Sequence, residues 1–495
     1  MFDRILNLLA YNPEEPLLFS SGLFLFLFLG FSFVYMMLNK RRALRILFVT
    51  AFSYYFYYKS SGTYFFLLAI VTVSDYLIAR HIWNYRQKHP QKVFVPRLLV
   101  CLSLLIDLGM LGYFKYANFF VGMFEQMIGN NFQPWDIFLP VGISFFTFQS
   151  LSYTIDVFRG TLRPLDRILD YAFYVSFFPQ LVAGPIVRAR DFVPQINHPL
   201  TITREMFSRG VYLIIIGLFK KSVISDYISL NFVDRIFDNP ALYTGVENLL
   251  GIYGYAMQIY CDFSGYSDMA IGIALLLGFH FPINFNAPYI SVSVTEFWRR
   301  WHISLSSWIR DYIYISLGGN RKGRVRTYVN LIITMLLGGL WHGASLNFVA
   351  WGGLHGIALA AHKYARANVF HHDKKYVSHG VRRFFGCLFT FHFVCLAWIF
   401  FRNTDFSASM MMLNSIFTNF HPELLWQVLE SYKYVFLLVA FGYVTHFIPD
   451  GWQNLAVKLI SRGNVVVDAL LLSVVIYIVI QVKSSTIQPF IYFQF

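Results

Sequence analysis

Charge is what this sequence has least of. Asp, Glu, Lys and Arg make up 13% of its 495 residues, against about 25% in an ordinary soluble domain. Hydrophobic residues make up 57%, and mean hydropathy is +0.51. That scarcity excludes a soluble multi-domain protein. Polar–apolar alternation is also lacking, because the apolar runs are continuous, and this excludes an outer-membrane barrel. Cysteine is rare. Cys101, Cys261, Cys387 and Cys395 lack metal-type spacing, so they read as small packing residues, indicate no metal and fix no redox compartment. There is no tandem repeat, no low-complexity tract and no polar stretch long enough for a soluble domain. A Walker-type phosphate loop, a His-Glu-x-x-His zinc motif and a Gly-x-Ser-x-Gly elbow are all missing. Those gaps argue against ATP-driven transport by this chain and against hydrolases of those kinds.

What the chain has instead is a series of apolar runs, several of about 18 residues or more, enough to cross a hydrocarbon core as helices. Candidate helices are 17–38, 43–58, 62–79, 98–114, 137–158, 168–187, 207–225, 243–261, 265–280, 327–342, 346–362, 384–401, 433–449 and 465–482. Some are too short or too rich in Gly and Pro to cross. The expectation is an all-α polytopic membrane protein with about 11 crossing helices, the rest being re-entrant or interfacial. Asp3, Glu14 and Glu15 precede the first run, so it lacks the basic lead of a signal peptide and reads as a retained helix. The formal net charge of +14 fits basic cytoplasmic loops and anionic headgroups better than nucleic acid. Positive clusters at 40–45, 80–97, 159–167, 321–326 and 363–383 would place the N-terminus, and the tail after Val482, outside. Residues 1–495 read as a single membrane domain, with 483–495 as an extracytoplasmic tail.

Two stretches carry most of the chemistry. In the first, Trp298, Trp301, Leu305, Trp308, Ile309 and Tyr312 recur at three- and four-residue spacing. This predicts one helix over 296–312 lying at the membrane surface, with Arg299 and Arg310 on its other side. His302 sits at the edge of the apolar stripe, either as a snorkelling anchor residue or as a site residue. In the second, His342 follows an apolar run ending Gly338-Gly339-Leu340-Trp341. An ionisable group there marks function by default, and a neutral imidazole can act as general base on a hydroxyl. Gly339 and Gly343 have the spacing that lets helices approach closely. His355 is a third candidate. Asp262 and Asp268 flank a Ser/Gly-rich stretch that predicts a helix break lining a cavity, or a capped helix end. Phe178 to Pro185 predicts a re-entrant turn leading to Arg188 and Arg190.

These stretches resemble the membrane-bound O-acyltransferase family, in its alginate O-acetyltransferase-like branch. The resemblance rests on Phe178–Arg188, Asp262–Asp268, Asn284–Tyr289, Glu296–Leu305, Asp311–Asn320 and Leu336–Ala344, and it weakens over 364–464. It implies a helical bundle around a central tunnel in the bacterial cytoplasmic (inner) membrane. His342 takes the place of the family's catalytic histidine, and His302 that of its second active-site residue. An acyl thioester donor, acetyl-CoA, is implied on the cytoplasmic side, with Trp298, Arg299, Arg300 and Trp301 as donor-binding candidates. Asp262, Asn284, Asn286 and His355 are the substrate-binding candidates. The tail Pro489–Phe495 resembles the C-terminal tyrosine motif of the small partner protein in teichoic-acid D-alanylation systems. Tyr492 is therefore a candidate acyl relay to a partner transferase that loads a polysaccharide; an aromatic membrane-interface anchor is the other reading. Two further classes stand beside this one: a polytopic transporter of a glycan or ion, and an O-acyltransferase acting on a lipid or teichoic acid.

Overall fold

The computed structural model describes residues 2–13, 15–182, 184–369, 379–403 and 405–483. Among the described residues every regular element is a helix. The chain divides into two compact units. Unit 1 comprises the described residues up to Ile214, with Met269–Pro282 and the described part of Ile460–Ile487. Unit 2 comprises Ile215–Asp268 and Ile283–Leu459.

Unit 1 is built around phenylalanine. Ser21 opens the Gly22–Met37 helix by accepting the Phe24 N–H on its hydroxyl at 3.2 Å, a standard way to satisfy a free first-turn donor. The buried rings of Phe24, Phe31 and Phe56 and the half-buried ring of Phe52 then surround Phe178 at centroid distances of 6.2, 5.5, 5.8 and 5.1 Å. Phe178 begins a four-residue helix, Phe178–Leu181, set off from Ile168–Ser176 by a break at Phe177. Ser53 accepts the N–H of Phe178 that this break frees, at 3.1 Å. Gly184 then lies against the Pro179 carbonyl, where a side chain would collide.

Unit 2 holds the site, and glycine sets its central helix pair. In Arg324–His342 and Leu346–Asn368, Gly339 meets the Phe348 carbonyl, Gly352 meets the Met335 carbonyl, and a Cβ at Gly356 would fall 2.9 Å from the Ile332 Cα. Backbone-to-backbone contact of this kind needs small residues at each crossing point.

Two expectations fail here. Residues 262–268 do not break: Gly245–Leu276 is one helix of 32 residues. Gly265 serves close packing instead, since its missing Cβ would lie 2.7 Å from the Gly217 carbonyl oxygen. The acids of that stretch are matched by lysines, as described below, so the helix has no need to open. Nor is 296–312 a single surface helix. It consists of Val294–Arg300 and Ile303–Ile309 joined at a sharp turn, and Trp298, Trp301 and Trp308 are all buried.

By length and apolarity, three described helical stretches qualify to cross a membrane: Arg42–Lys88, Phe94–Met127 and Gly380–Arg402. A fourth is the pair Pro422–Ser431 and Lys433–Thr445 if that pair, bent by 93°, counts as one span. The fold is thus all-helical with several apolar helices, as expected of a multi-pass membrane protein.

Candidate active site

The sharp turn places the first histidine. Trp301 is extended at φ −102° and ψ 129°, and His302 adopts φ +42° and ψ +57°. This left-handed conformation is uncommon outside glycine and asparagine. The loop at 284–286 holds it from outside. Asn284 accepts the Ile303 N–H on its carbonyl at 2.9 Å and the Ser304 N–H and hydroxyl on Oδ1 at 3.2 and 2.9 Å. Its Nδ2 donates to Ser267 Oγ at 3.2 Å. The Asn286 N–H donates to the Arg300 carbonyl at 2.9 Å, and the Arg300 guanidinium donates back to the Asn286 carbonyl at 3.1 Å. Asn284 therefore caps the second short helix, and Asn286 clamps the end of the first. The result is a fully buried His302 imidazole. Its ring stands 4.6 Å from Phe263 and 6.0 Å from Trp341, and burial pushes its pKa down to about 3.

His342 is the last residue of its helix. Its ring lies 4.9, 5.1 and 5.1 Å from those of Trp341, Trp351 and Phe401. The centroids of His302 and His342 are 6.5 Å apart. Residues distant in sequence are thus gathered into one aromatic-walled site, with Trp341 beside both imidazoles. His355 is one ring further on, 4.9 Å from Trp351. The Trp298 indole N–H donates to its Nδ1 at 3.2 Å, so a neutral His355 carries its proton on Nε2.

The other candidates are placed as follows. Asp262, next to Phe263, lies 2.6 Å from the Lys221 ammonium. Arg300 pairs with Glu296 at 2.9 Å, and Arg299 is exposed. Trp298 and Trp301 are buried in the aromatic wall, Trp301 at 5.0 Å from Trp398. Tyr492 lies outside the described residues. Among the described residues no cluster of three or more His, Cys, Asp or Glu could hold a metal. A cavity of about 750 Å³ opens elsewhere in unit 2, walled by Tyr289, Phe391, Tyr443 and His446. Tyr289 stands between it and the site, 5.4 Å from His446 and 6.2 Å from Trp301.

Sequence reasoning missed the lysines beside the site. Lys221 bridges Asp226 at 2.8 Å and Asp262, and Lys220 pairs with Asp268 at 2.7 Å. The signal was a Lys-Lys doublet inside the apolar run 207–225, where two adjacent ammonium groups need acidic partners.

The profile of the membrane-bound O-acyltransferase family matches residues 166–402, which include the whole His302–His342 arrangement. The chain is 42% identical over 410 residues to the probable alginate O-acetylase AlgI of Pseudomonas aeruginosa, covering 81% of this chain and 75% of the relative. It is 36% identical over 430 residues to a peptidoglycan O-acetyltransferase of Helicobacter pylori, covering 81% and 80%. It is 30% identical over 290 residues to a teichoic acid D-alanyltransferase of Bacillus subtilis, covering 55% and 71%. With the profile spanning both histidines and such relatives aligned over most of its length, the chain belongs to the membrane-bound O-acyltransferase family and is an acyltransferase.

Proposed function

We propose that this enzyme moves an acetyl group from cytoplasmic acetyl-CoA to a hydroxyl of an extracytoplasmic polysaccharide, from within the bacterial cytoplasmic membrane. In this reading about 11 helices cross and surround a tunnel that leads to the histidines. The observation that carries it is the pair of buried imidazoles 6.5 Å apart. Support comes also from relatives named for acyl transfer to three different cell-surface polymers. A site meant for bulk ion or glycan passage gains nothing from two imidazoles enclosed by tryptophan and phenylalanine.

The step is a thioester-to-ester exchange. His342 takes the proton of the acceptor hydroxyl as that oxygen attacks the acetyl carbonyl. The carbon–sulfur bond breaks, and the proton passes from the imidazolium to the departing thiolate. His302, neutral and fixed by the Asn284 loop, positions the thioester. Arg299 and Arg300 meet the anionic part of the donor. Tyr492 is the first acceptor, giving an acyl-tyrosine that a partner transferase unloads onto the polysaccharide.

Membranes carrying the protein are given acetyl-CoA labelled in its acetyl group. Label should enter the polypeptide and chase into glycan. His342→Ala, inserted at normal levels, should abolish both; label transfer by that variant would remove the base from the mechanism. Unchanged glycan acetylation by Tyr492→Phe would remove the relay while leaving His342 in place.

A further inference from the structure

Unit 1 contains a polar centre that has no part in the mechanism proposed above. Asp75 lies on the Phe65–Lys88 helix and Asp107 on Phe94–Leu111, within two stretches apolar enough to cross a membrane. Both are fully buried. Ser103 donates to Asp75 Oδ1 at 2.6 Å, and Ser150 donates to Oδ2. The Tyr171 hydroxyl is 2.8 Å from Ser150 Oγ. Asp107 is turned towards Asp75, and no hydroxyl or N–H donor among the described residues reaches either of its oxygens. The Thr154 hydroxyl is also fully buried and faces Asp75.

No lysine, arginine or histidine neutralises these acids among the described residues. The titratable groups that face them are each other, Tyr153 from Ile143–Arg159 and Tyr171 from Ile168–Ser176. Two neighbouring carboxylates buried away from water repel strongly, and a buried acceptor that receives no donor is itself costly. One added proton removes both problems. Placed between the pair it turns Asp107 into a donor to Asp75. A single negative charge remains, held by two serine hydroxyls and the new O–H. Carboxyl pairs that cannot both ionise share a proton in this way.

We propose that Asp75 and Asp107 form an intramembrane binding site for one proton, built where the Phe65–Lys88, Phe94–Leu111 and Ile143–Arg159 helices meet. The proton comes from water and returns to it, with no other bond made or broken. Its occupancy is tied to the packing of those three helices, because its loss sets two like charges against each other.

The test uses the full chain in lipid nanodiscs, with ¹³C-labelled aspartate and infrared spectroscopy at neutral pH. A protonated, hydrogen-bonded carboxyl band that shifts with the label is expected. Asp107→Asn should lose that band and unfold at the wild-type temperature, because the amide supplies the same donor. Asp107→Ala should lose the band and unfold earlier. Absence of the band from the wild type overturns the proposal, even if the variants fail to insert. So does its persistence in Asp107→Asn. A band that appears only when sodium is removed would assign the site to a metal cation and overturn it as well.

Discussion

The network beside the site gives the sharpest test of the electrostatics, because its charges do not balance. Lys221 carries +1 and contacts Asp226 and Asp262 at 2.8 and 2.6 Å, with side-chain exposures of 4%, 15% and 3%. The trio sums to −1. Asp262→Asn leaves one lysine and one carboxylate, a balanced pair, at a cost of one hydrogen bond, about 1 kcal/mol. Lys221→Met instead leaves two buried carboxylates and no cation. Orphaning a buried ion-pair partner costs about 3–5 kcal/mol. At roughly 2–4 °C per kcal/mol for a large domain, Lys221→Met should unfold about 6–20 °C early and Asp262→Asn about 2–4 °C early. The triple change Lys221→Met, Asp226→Asn, Asp262→Asn should recover most of the loss, since no net charge then remains buried. Thermal unfolding in nanodiscs, followed by tryptophan fluorescence, reads all three. A Lys221→Met protein no less stable than Asp262→Asn would refute the charge argument. The same series separates two roles for Asp262. Native stability with failed transfer to acceptor in Asp262→Asn would assign it to substrate; a proportionate loss of stability with transfer intact would leave it structural.

Other outcomes follow from single contacts. Asn284→Ala removes the Ser304 cap, worth about 1 kcal/mol, and loosens the His302 turn, so kcat should fall with little change in KM for the proposed acetyl-CoA donor, read by steady-state assay. Gly339→Ala drives a methyl into the Phe348 carbonyl and should cost about 1–3 kcal/mol or more, read as an earlier thermal midpoint. His302 is held near 3 by burial against about 6.5 in an unfolded chain. Between those values the unfolded state binds a proton that the folded state refuses, so the contribution of His302 to stability declines as pH falls from about 6.5 and is flat above. His302→Gln should reduce that slope in unfolding midpoints measured from pH 4 to 8, the remainder coming from His355 and His446, which burial also holds low. Trp298→Phe and His355→Leu each lose the 3.2 Å indole–imidazole bond, so their effects on the unfolding midpoint should combine to less than their sum.

How far the sequence could be read depended on whether a feature was decided by its own segment or by a distant one. That the apolar runs are helical was legible, though not their number or their ends, because each run must satisfy its own backbone in lipid, whatever its neighbours do. The glycine-mediated approach of the two helices around His342 was legible too, since small residues recurring along one face admit another backbone. The turn at Trp301–His302 was not. The three- and four-residue periodicity continues straight through it, and what breaks the helix is Asn284, taking the Ile303 and Ser304 N–H groups from another part of the chain. The opposite error occurred at 262–268, where Ser, Gly and two acids read as a break. Lys220 and Lys221 supply the countercharges, and Gly265 the close packing, so the helix runs on. The candidate site was legible as two motifs containing histidine. Their separation, 6.5 Å between rings, depends on that unforeseen turn: a straight helix through 296–312 would keep His302 on an outer stripe. Asn284 therefore does as much to place His302 as the histidine's own segment does, because it takes the N–H groups that a straight helix would have bonded internally.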